Sequence, residues 1–238
     1  ATAHAPYSTV PRLLVELKRR CSRLQHIFSI HTAETKDELE FLSEQKGCFR
    51  DFLETRGSWD NTFFNGYDGS SGTIDYYGKL GLLDERTLLV HCVHVTDEEL
   101  LLVKKHKSSI CLCPGSNTFL HVGMAPVVNM LTAGILPSLG TDSFASNREI
   151  DLWREMKILS EQHPQIPADT ILAMATLGGA SALHHSSDYG SLSSGKSAHF
   201  IHTSSPALRK CNNAKELERE LVSGGRPSEI SWVDTVHY

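Results

Sequence analysis

The amino-acid sequence predicts an α/β fold: a parallel sheet whose strands are covered by helices. Three observations carry this. Apolar runs of strand length alternate with amphipathic stretches of helical period. The runs are almost unbroken in apolar character, as in strands buried on both faces. Each run ends in polar residues, namely His31, His91, Asn117 just past the third run, and Asp142. In an eight-stranded (β/α)8 barrel (a TIM barrel) such ends converge on one mouth, where chemistry sits. In an open doubly wound sheet they would line a crevice, and no glycine-rich nucleotide fingerprint follows any strand here.

Each element has its own signal. Ser8 or Thr9 is placed to cap a first helix, with Pro11 tolerated in its first turn. Leu13, Leu14, Leu17, Cys21 and Leu24 then recur at helical spacing. The strand Ile27 to Ile30 ends at His31, and Thr35 to Glu38 has the form of a capping box before Leu39, Phe41 and Leu42. Leu88 to Val90 is the second full strand, ending at His91. Thr96 to Glu99 is a second capping box, before Leu100 to Val103. Ile110 to Cys113 is the third strand, stopped by Pro114 and Gly115. The helix carrying Val127, Val128, Met130 and Leu131 closes at Gly134, a natural C-terminal cap. Ile135 to Leu139 is the fourth strand and runs into Gly140-Thr141-Asp142.

Two stretches break this rhythm. Arg56 to Gly81 holds Trp59, Phe63, Phe64, Tyr67, Tyr76 and Tyr77 among glycines and serines, as either a pocket wall or a packed surface excursion. After about Ala182 the chain turns to a turn-rich stretch (Gly190 to Lys196), short strands at His199 to His202 and Ile230 to Val233, and a charged helix at Ala214 to Leu221. The expected organisation is a barrel portion over residues 1–185 and a small β-rich appendage over 186–238.

Composition narrows the function classes. A chain of 238 residues fits one large domain with a small appendage. The balance of 23 basic against 28 acidic residues, net −5, argues against a nucleic-acid footprint. At 40% hydrophobic and 21% charged, the chain buries a core. No apolar run approaches the ~20 residues of a membrane helix, and Ala1 to His4 has no secretory-signal character. Six scattered cysteines suit a reducing, cytoplasmic setting rather than a disulfide scaffold.

The strand ends carry the candidate chemistry. In His31-Thr32-Ala33-Glu34 a strand-end histidine is followed by a glutamate three residues on, able to point back to the same space. Imidazole holds divalent metals, and a nearby carboxylate can carry protons for a metal-activated water. By itself the pair also suits an ordinary strand-end histidine and a helix-start glutamate favoured by the macrodipole. His91 should face the mouth, while His94 lies in the loop beyond. Asp142 is a carboxylate at the end of a buried strand, costly there without a cation. His4 lies where an upstream strand would deliver it to the same rim.

Together these strings, His31 to Glu34, Leu88 to Leu100 (LLVHCVHVTDEEL), Cys111 to Asn117 (CLCPGSN) and Leu139 to Asn147 (LGTDSFASN), resemble the amidohydrolase superfamily. The resemblance runs from His4 to about Ile201 and is narrowest to the branch of S-adenosylhomocysteine/methylthioadenosine, guanine and aminodeoxyfutalosine deaminases and triazine chlorohydrolases. It implies strands five to eight of a (β/α)8 barrel. It also implies one divalent ion, zinc ahead of iron, with His31 and Asp142 as ligands, and a catalytic part for Asp142 as acceptor of a hydrogen bond from the water. Glu34 resembles the proton-shuttling glutamate, His91 the histidine that orients the attacking hydroxide or the substrate, and His4 a substrate-binding histidine. The implied activity is hydrolytic deamination of a purine-like or related heteroaromatic amine, with a small-molecule substrate as partner. The alternatives are triazine-type C–Cl or C–N hydrolysis, or a non-catalytic remnant that binds a ring.

No strand bearing the family's His-x-His precedes His4, so the resemblance also implies the C-terminal portion of a longer protein. A half barrel leaves unpaired sheet edges and apolar surface, which favours a homo-oligomer. The expectation is that the 238-residue chain purified by itself carries little metal and negligible deaminase activity. Metal analysis and ammonia-release assays check this, and stoichiometric zinc or iron with turnover would overturn it.

Overall fold

In a computed structural model of the chain, residues 2–60, 63–64, 70–224 and 229–233 are described. In chain order the elements are α1 (Pro11–Arg23), β1 (Phe28–Thr32), α2 (Lys36–Glu44), α3 (Cys48–Thr55), α4 (Thr73–Lys79), β2 (Thr87–His91) and α5 (Asp97–His106). Then follow β3 (Ser109–Leu112), α6 (Pro114–Phe119), α7 (Val127–Thr132), β4 (Ser138–Leu139), α8 (Leu152–Gln162) and α9 (Ala168–Ala173). A π-turn (Met174–Gly178), α10 (Gly179–Ala182), β5 (Phe200–Thr203), a 3-10 turn (Leu208–Lys210), α11 (Ala214–Gly224) and β6 (Ile230–Val233) complete the order. The chain forms two compact units, Ala1–Leu112 with His121–Ile135, and Cys113–Leu120 with Leu136–Tyr238.

A parallel ladder organises the first unit. β1 pairs with β2 from Phe28↔Thr87 to Thr32↔His91, and β2 with β3 from Leu88↔Ser109 to Val90↔Cys111. Phe28, Ile30, Leu89, Ile110 and Leu112 are buried, so alternate residues of each strand face the core.

The helix α1 starts at Pro11 as expected, but Val10 is the N-cap residue and no side chain caps it. The buried stripe is Leu14, Lys18 and Cys21, while Leu13 and Leu24 are exposed. Lys18 displaces the leucines because its ammonium has partners. It donates to Asp84 Oδ1 at 2.5 Å and to Thr87 Oγ1 at 2.8 Å, tying α1 to the start of β2. Burial pushes the Asp84 carboxyl up, but Lys18, the Arg86 N–H and Thr87 together hold it below its usual value.

Two expected capping boxes turn out differently. Thr96 and Glu99 form the full reciprocal box at α5. Glu99 Oε1 also accepts from Ile74 N at 2.7 Å, so one buried carboxylate closes the starts of α5 and α4. A Cβ at Gly72 would collide with that carboxylate. At α2, Thr35 accepts from Glu38 N at 3.1 Å, but the Glu38 side chain is turned toward Ala33 and Glu34.

The aromatic excursion is a packed one. It contains the short helix α4, absent from the sequence expectation, with Tyr76 and Tyr77 fully buried. Phe63 and Phe64 are also buried and lie at 5.7 and 5.2 Å from Phe41 between ring centroids. Tyr67 falls outside the described residues.

In the second unit the expected strand Ile135 to Leu139 narrows to Ser138–Leu139. The π-turn packs on it closely: a Cβ at Gly178 would meet the Pro137 carbonyl oxygen, so only glycine fits. The helix α11 packs against α8 and α9. β5 and β6 pair antiparallel from Phe200↔Val233 to Thr203↔Ile230, as the two short strands of the tail predict. No disulfide joins the six cysteines, and among the described residues no helix is long and apolar enough to cross a membrane.

Lys18→Ala removes a cation that two buried or half-buried groups use. It is expected to lower stability by about 1–3 kcal/mol, read by urea unfolding, with Lys18→Arg losing less.

Candidate active site

The ladder register determines where the first unit presents its imidazoles. Thr32 pairs with His91, which leaves His31 one position back on β1 and His91 as the last residue of β2. His91 Nε2 lies 2.9 Å from His31 Nδ1, and the ring centroids are 4.7 Å apart. His91 is fully buried, and the His31 side chain is 24% exposed. Beyond β1 the chain bends back and delivers Glu34, which is buried. Its Oε2 lies 3.7 Å from His31 Nδ1 and its Oε1 3.7 Å from His91 Nε2.

The backbone here is bent well away from extended geometry. Ala33, His91 and Cys92 have φ of 47°, 74° and 49°, a region residues other than glycine seldom adopt. Hydrogen bonds from Cys92 N to Thr32 O and from His94 N to Ala33 O, both 2.9 Å, keep the two strand ends coupled past the ladder. Tyr77 donates its hydroxyl to the His31 carbonyl at 2.7 Å. Burial, with Glu38 nearby, holds that phenol protonated far above its usual range.

His4 joins this group. Its carbonyl accepts from His31 N at 2.9 Å, its ring centroid is 4.9 Å from that of His31, and its Nδ1 is 2.8 Å from Ser8 Oγ. His94 takes a different place: its Nε2 is 2.9 Å from the Val122 carbonyl, and burial lowers its pKa.

Asp142 belongs to the second unit, where it also takes a left-handed φ of 57°. Its Oδ2 accepts from Ser116 Oγ at 2.9 Å and from Ser146 Oγ. The surrounding loop is pinned by Asn147, which donates to Thr141 O at 2.7 Å and to Glu155 Oε1 at 2.8 Å. Glu155, fully buried, accepts from Gly115 N at 2.6 Å. Burial raises its pKa against these bonds.

The first unit therefore gathers four of the five sequence-predicted residues: His4, His31, Glu34 and His91. Sequence reasoning missed Glu38, Tyr77, Ser116 and Ser146. Ser116 lies in the quoted CLCPGSN string, Ser146 in LGTDSFASN, Glu38 in the quoted capping box and Tyr77 in the aromatic stretch, so all four were visible as residues but not as partners.

The sequence profile of the Amidohydrolase family matches residues 1–224. The chain belongs to the amidohydrolase family. A 5-methylthioadenosine/S-adenosylhomocysteine deaminase from Moorella thermoacetica is 32% identical over 239 residues, covering 97% of this chain and 50% of that protein. The chain spans about half the length of the curated relatives it matches. Among solved structures, the Helicobacter pylori aminofutalosine deaminase superposes with a TM-score of 0.80 at 24% identity, covering 97% of this chain and 56% of that one. A zinc-bound adenosine deaminase from Xanthomonas campestris gives 0.78 at 24% identity, covering 96% and 48%. The fold of this amidohydrolase is thus that of the family's α/β barrel over about half its length.

Buried Glu38 provides a pH test of this site's support. Burial raises its carboxyl from the ordinary 4.5 to about 7, against hydrogen bonds from Thr73, Ala33 and Glu34 that pull it down. Between those values the folded chain binds the proton and the unfolded chain does not. Stability contributed at Glu38 is therefore greatest below pH 4.5 and is lost as pH rises through about 7. The difference is about 3 kcal/mol by linkage. Urea unfolding of wild type against Glu38→Gln from pH 5 to 8 should show the variant gaining relative stability as pH rises.

Proposed function

We propose that this amidohydrolase chain is the metal-binding and proton-handling part of a hydrolytic deaminase acting on a purine-like heteroaromatic amine. The observation that carries the reading is the convergence of the His31 and His91 imidazoles with the Glu34 carboxylate, within 2.9 to 3.7 Å of one another. The deaminase relatives support it.

The donor chemistry fits a divalent cation. His31 offers a half-buried imidazole on a strand end, and Asp142 a carboxylate held by two serine hydroxyls. In this reading His31 and Asp142 are protein ligands. Imidazole and carboxylate suit zinc and iron alike, and the bound zinc of the Xanthomonas campestris deaminase favours zinc. When bound, the cation supplies the Lewis acidity that makes water nucleophilic near neutral pH.

The chain's residues do the rest. His91, fully buried, orients the attacking water. Glu34 takes a proton from that water and passes it to a ring nitrogen, then moves the remaining proton of the newly bonded hydroxyl to the leaving amine. A C–O bond forms, the C–N bond breaks, and ammonia leaves a ring carbonyl behind. His4, the exposed member of the group, contacts the substrate ring. The acidic net charge is against nucleic acid as partner, and the cysteines, none of them in a disulfide, suit a cytoplasmic location.

Glu34→Gln in the whole protein tests the reading. It should keep metal content and lower kcat by about 10²–10⁴-fold in an ammonia-release assay over a panel of aminopurine nucleosides. Activity within about tenfold of wild type would remove Glu34 from the proton path. Halide release from a chlorotriazine in place of ammonia would move the assignment to dechlorination.

A further inference from the structure

The turn between β1 and α2 carries Glu34, and its path does not suit an alanine. Ala33 sits at φ 47°, where its Cβ crowds the backbone. A left-handed residue at such a turn makes successive N–H groups converge on one side, forming a concavity that an anion fills. Here the filler is a side chain of the same protein. Ala33 N donates to Glu38 Oε1 at 2.6 Å, and Glu34 N donates to Glu38 Oε2 at 3.2 Å.

Glu38 is itself fixed. It is fully buried, its own N–H donates to Thr35 Oγ1, and Thr73 at the start of α4 donates to its Oε1 at 2.6 Å. On the other side of the turn, the Ala33 carbonyl accepts from His94 N at 2.9 Å. The peptide of the strained residue is thus held from both directions. Glu38 is anchored on α2 and α4, whereas the residue it holds points at His31 and His91.

We propose that Glu38 is a positioning residue for Glu34: by binding the N–H groups of Ala33 and Glu34 it imposes the left-handed turn that aims the Glu34 carboxylate at the paired imidazoles. The inference rests on the reading of Glu34 as the proton carrier. It assigns Glu38 no contact with substrate or metal. A residue that only filled space would be replaced without consequence by any side chain of its size. One that works through the turn should be relieved by a residue that accepts positive φ freely.

The test uses Glu38→Ala, Glu38→Gln, Ala33→Gly and the Glu38→Ala/Ala33→Gly double variant of the full chain. Each is read by crystal structure and thermal unfolding. Glu38→Ala should displace the Glu34 carboxylate from the imidazoles by about 1 Å or more, enough to cost about 100-fold in rate. Ala33→Gly should leave it in place, and the double variant should bring it part of the way back. In the whole protein, kcat should fall by about 100-fold in Glu38→Ala with KM little changed, and recover in part in the double variant. A folded Glu38→Ala with Glu34 unmoved, or a displacement that Ala33→Gly does not relieve, overturns the proposal. If Glu38→Ala does not fold, Glu38→Gln decides. Its amide sets an N–H donor against the Glu34 N–H, so a folded variant with Glu34 displaced supports the proposal and one with Glu34 unmoved overturns it. If Glu34→Gln turns over normally, the deaminase reading fails by itself, and the position of Glu34 in these structures still decides the role of Glu38.

Discussion

The parallel pairing of β1 with β2 is the constraint on which the rest depends. Because Thr32 pairs with His91 and the chain turns left-handed at His91 (φ 74°), two imidazoles from strands about sixty residues apart in sequence are brought to hydrogen-bonding distance. A slip of one residue would send the side chains of the slipping strand, its histidine included, to the other face of the sheet. The buried positions Phe28, Ile30 and Leu89 resist that slip, since each would have to leave the core. Core packing and site geometry are therefore one and the same constraint on this ladder.

Buried carboxylates are the second theme. Glu38, Glu99 and Glu155 all lie in the first turns of helices, are nearly or fully inaccessible, and accept from backbone N–H groups of another segment. Burial penalises each charge, and although Arg154 lies 3.9 Å from Glu155, the close partners of all three carboxylates are uncharged donors. Directed N–H and hydroxyl donors take that role. The exchange makes loop conformation the counter-charge: Ile74 and Asp75 serve Glu99, and Ala33 and Glu34 serve Glu38. Left-handed residues gather at the same ends, which is where a fold holds strained backbone for a purpose.

The strand–helix alternation is legible in the sequence because apolar runs of strand length alternate with amphipathic stretches, and its ends are marked by His31, His91 and Asp142. The tail strands are legible for their turn-rich borders. Three features were hidden for physical reasons. Helix α1 buries Lys18 instead of Leu13, because Asp84 and Thr87, more than sixty residues away, supply its partners. The fourth strand shortens because regular pairing, not apolar content, defines a strand. The capping box at Thr35 is half formed because Glu38 finds donors in the turn before it, which no local pattern reveals. Of the candidate site, the residue types at strand ends were readable, but the residues that hold them were not, since hydrogen bonds to backbone leave no spacing in the sequence.

The packed excursion between α3 and β2 has a consequence for how such chains diversify. Its helix α4 reaches back to hold the His31 carbonyl through Tyr77 and the buried Glu38 through Thr73. A surface insertion of this kind is ordinarily free to lengthen, shorten or be exchanged between relatives. Here the exchange would unfasten two supports of the histidine pair, so grafting a foreign segment would succeed only if it carried a phenol and a hydroxyl to the same two places.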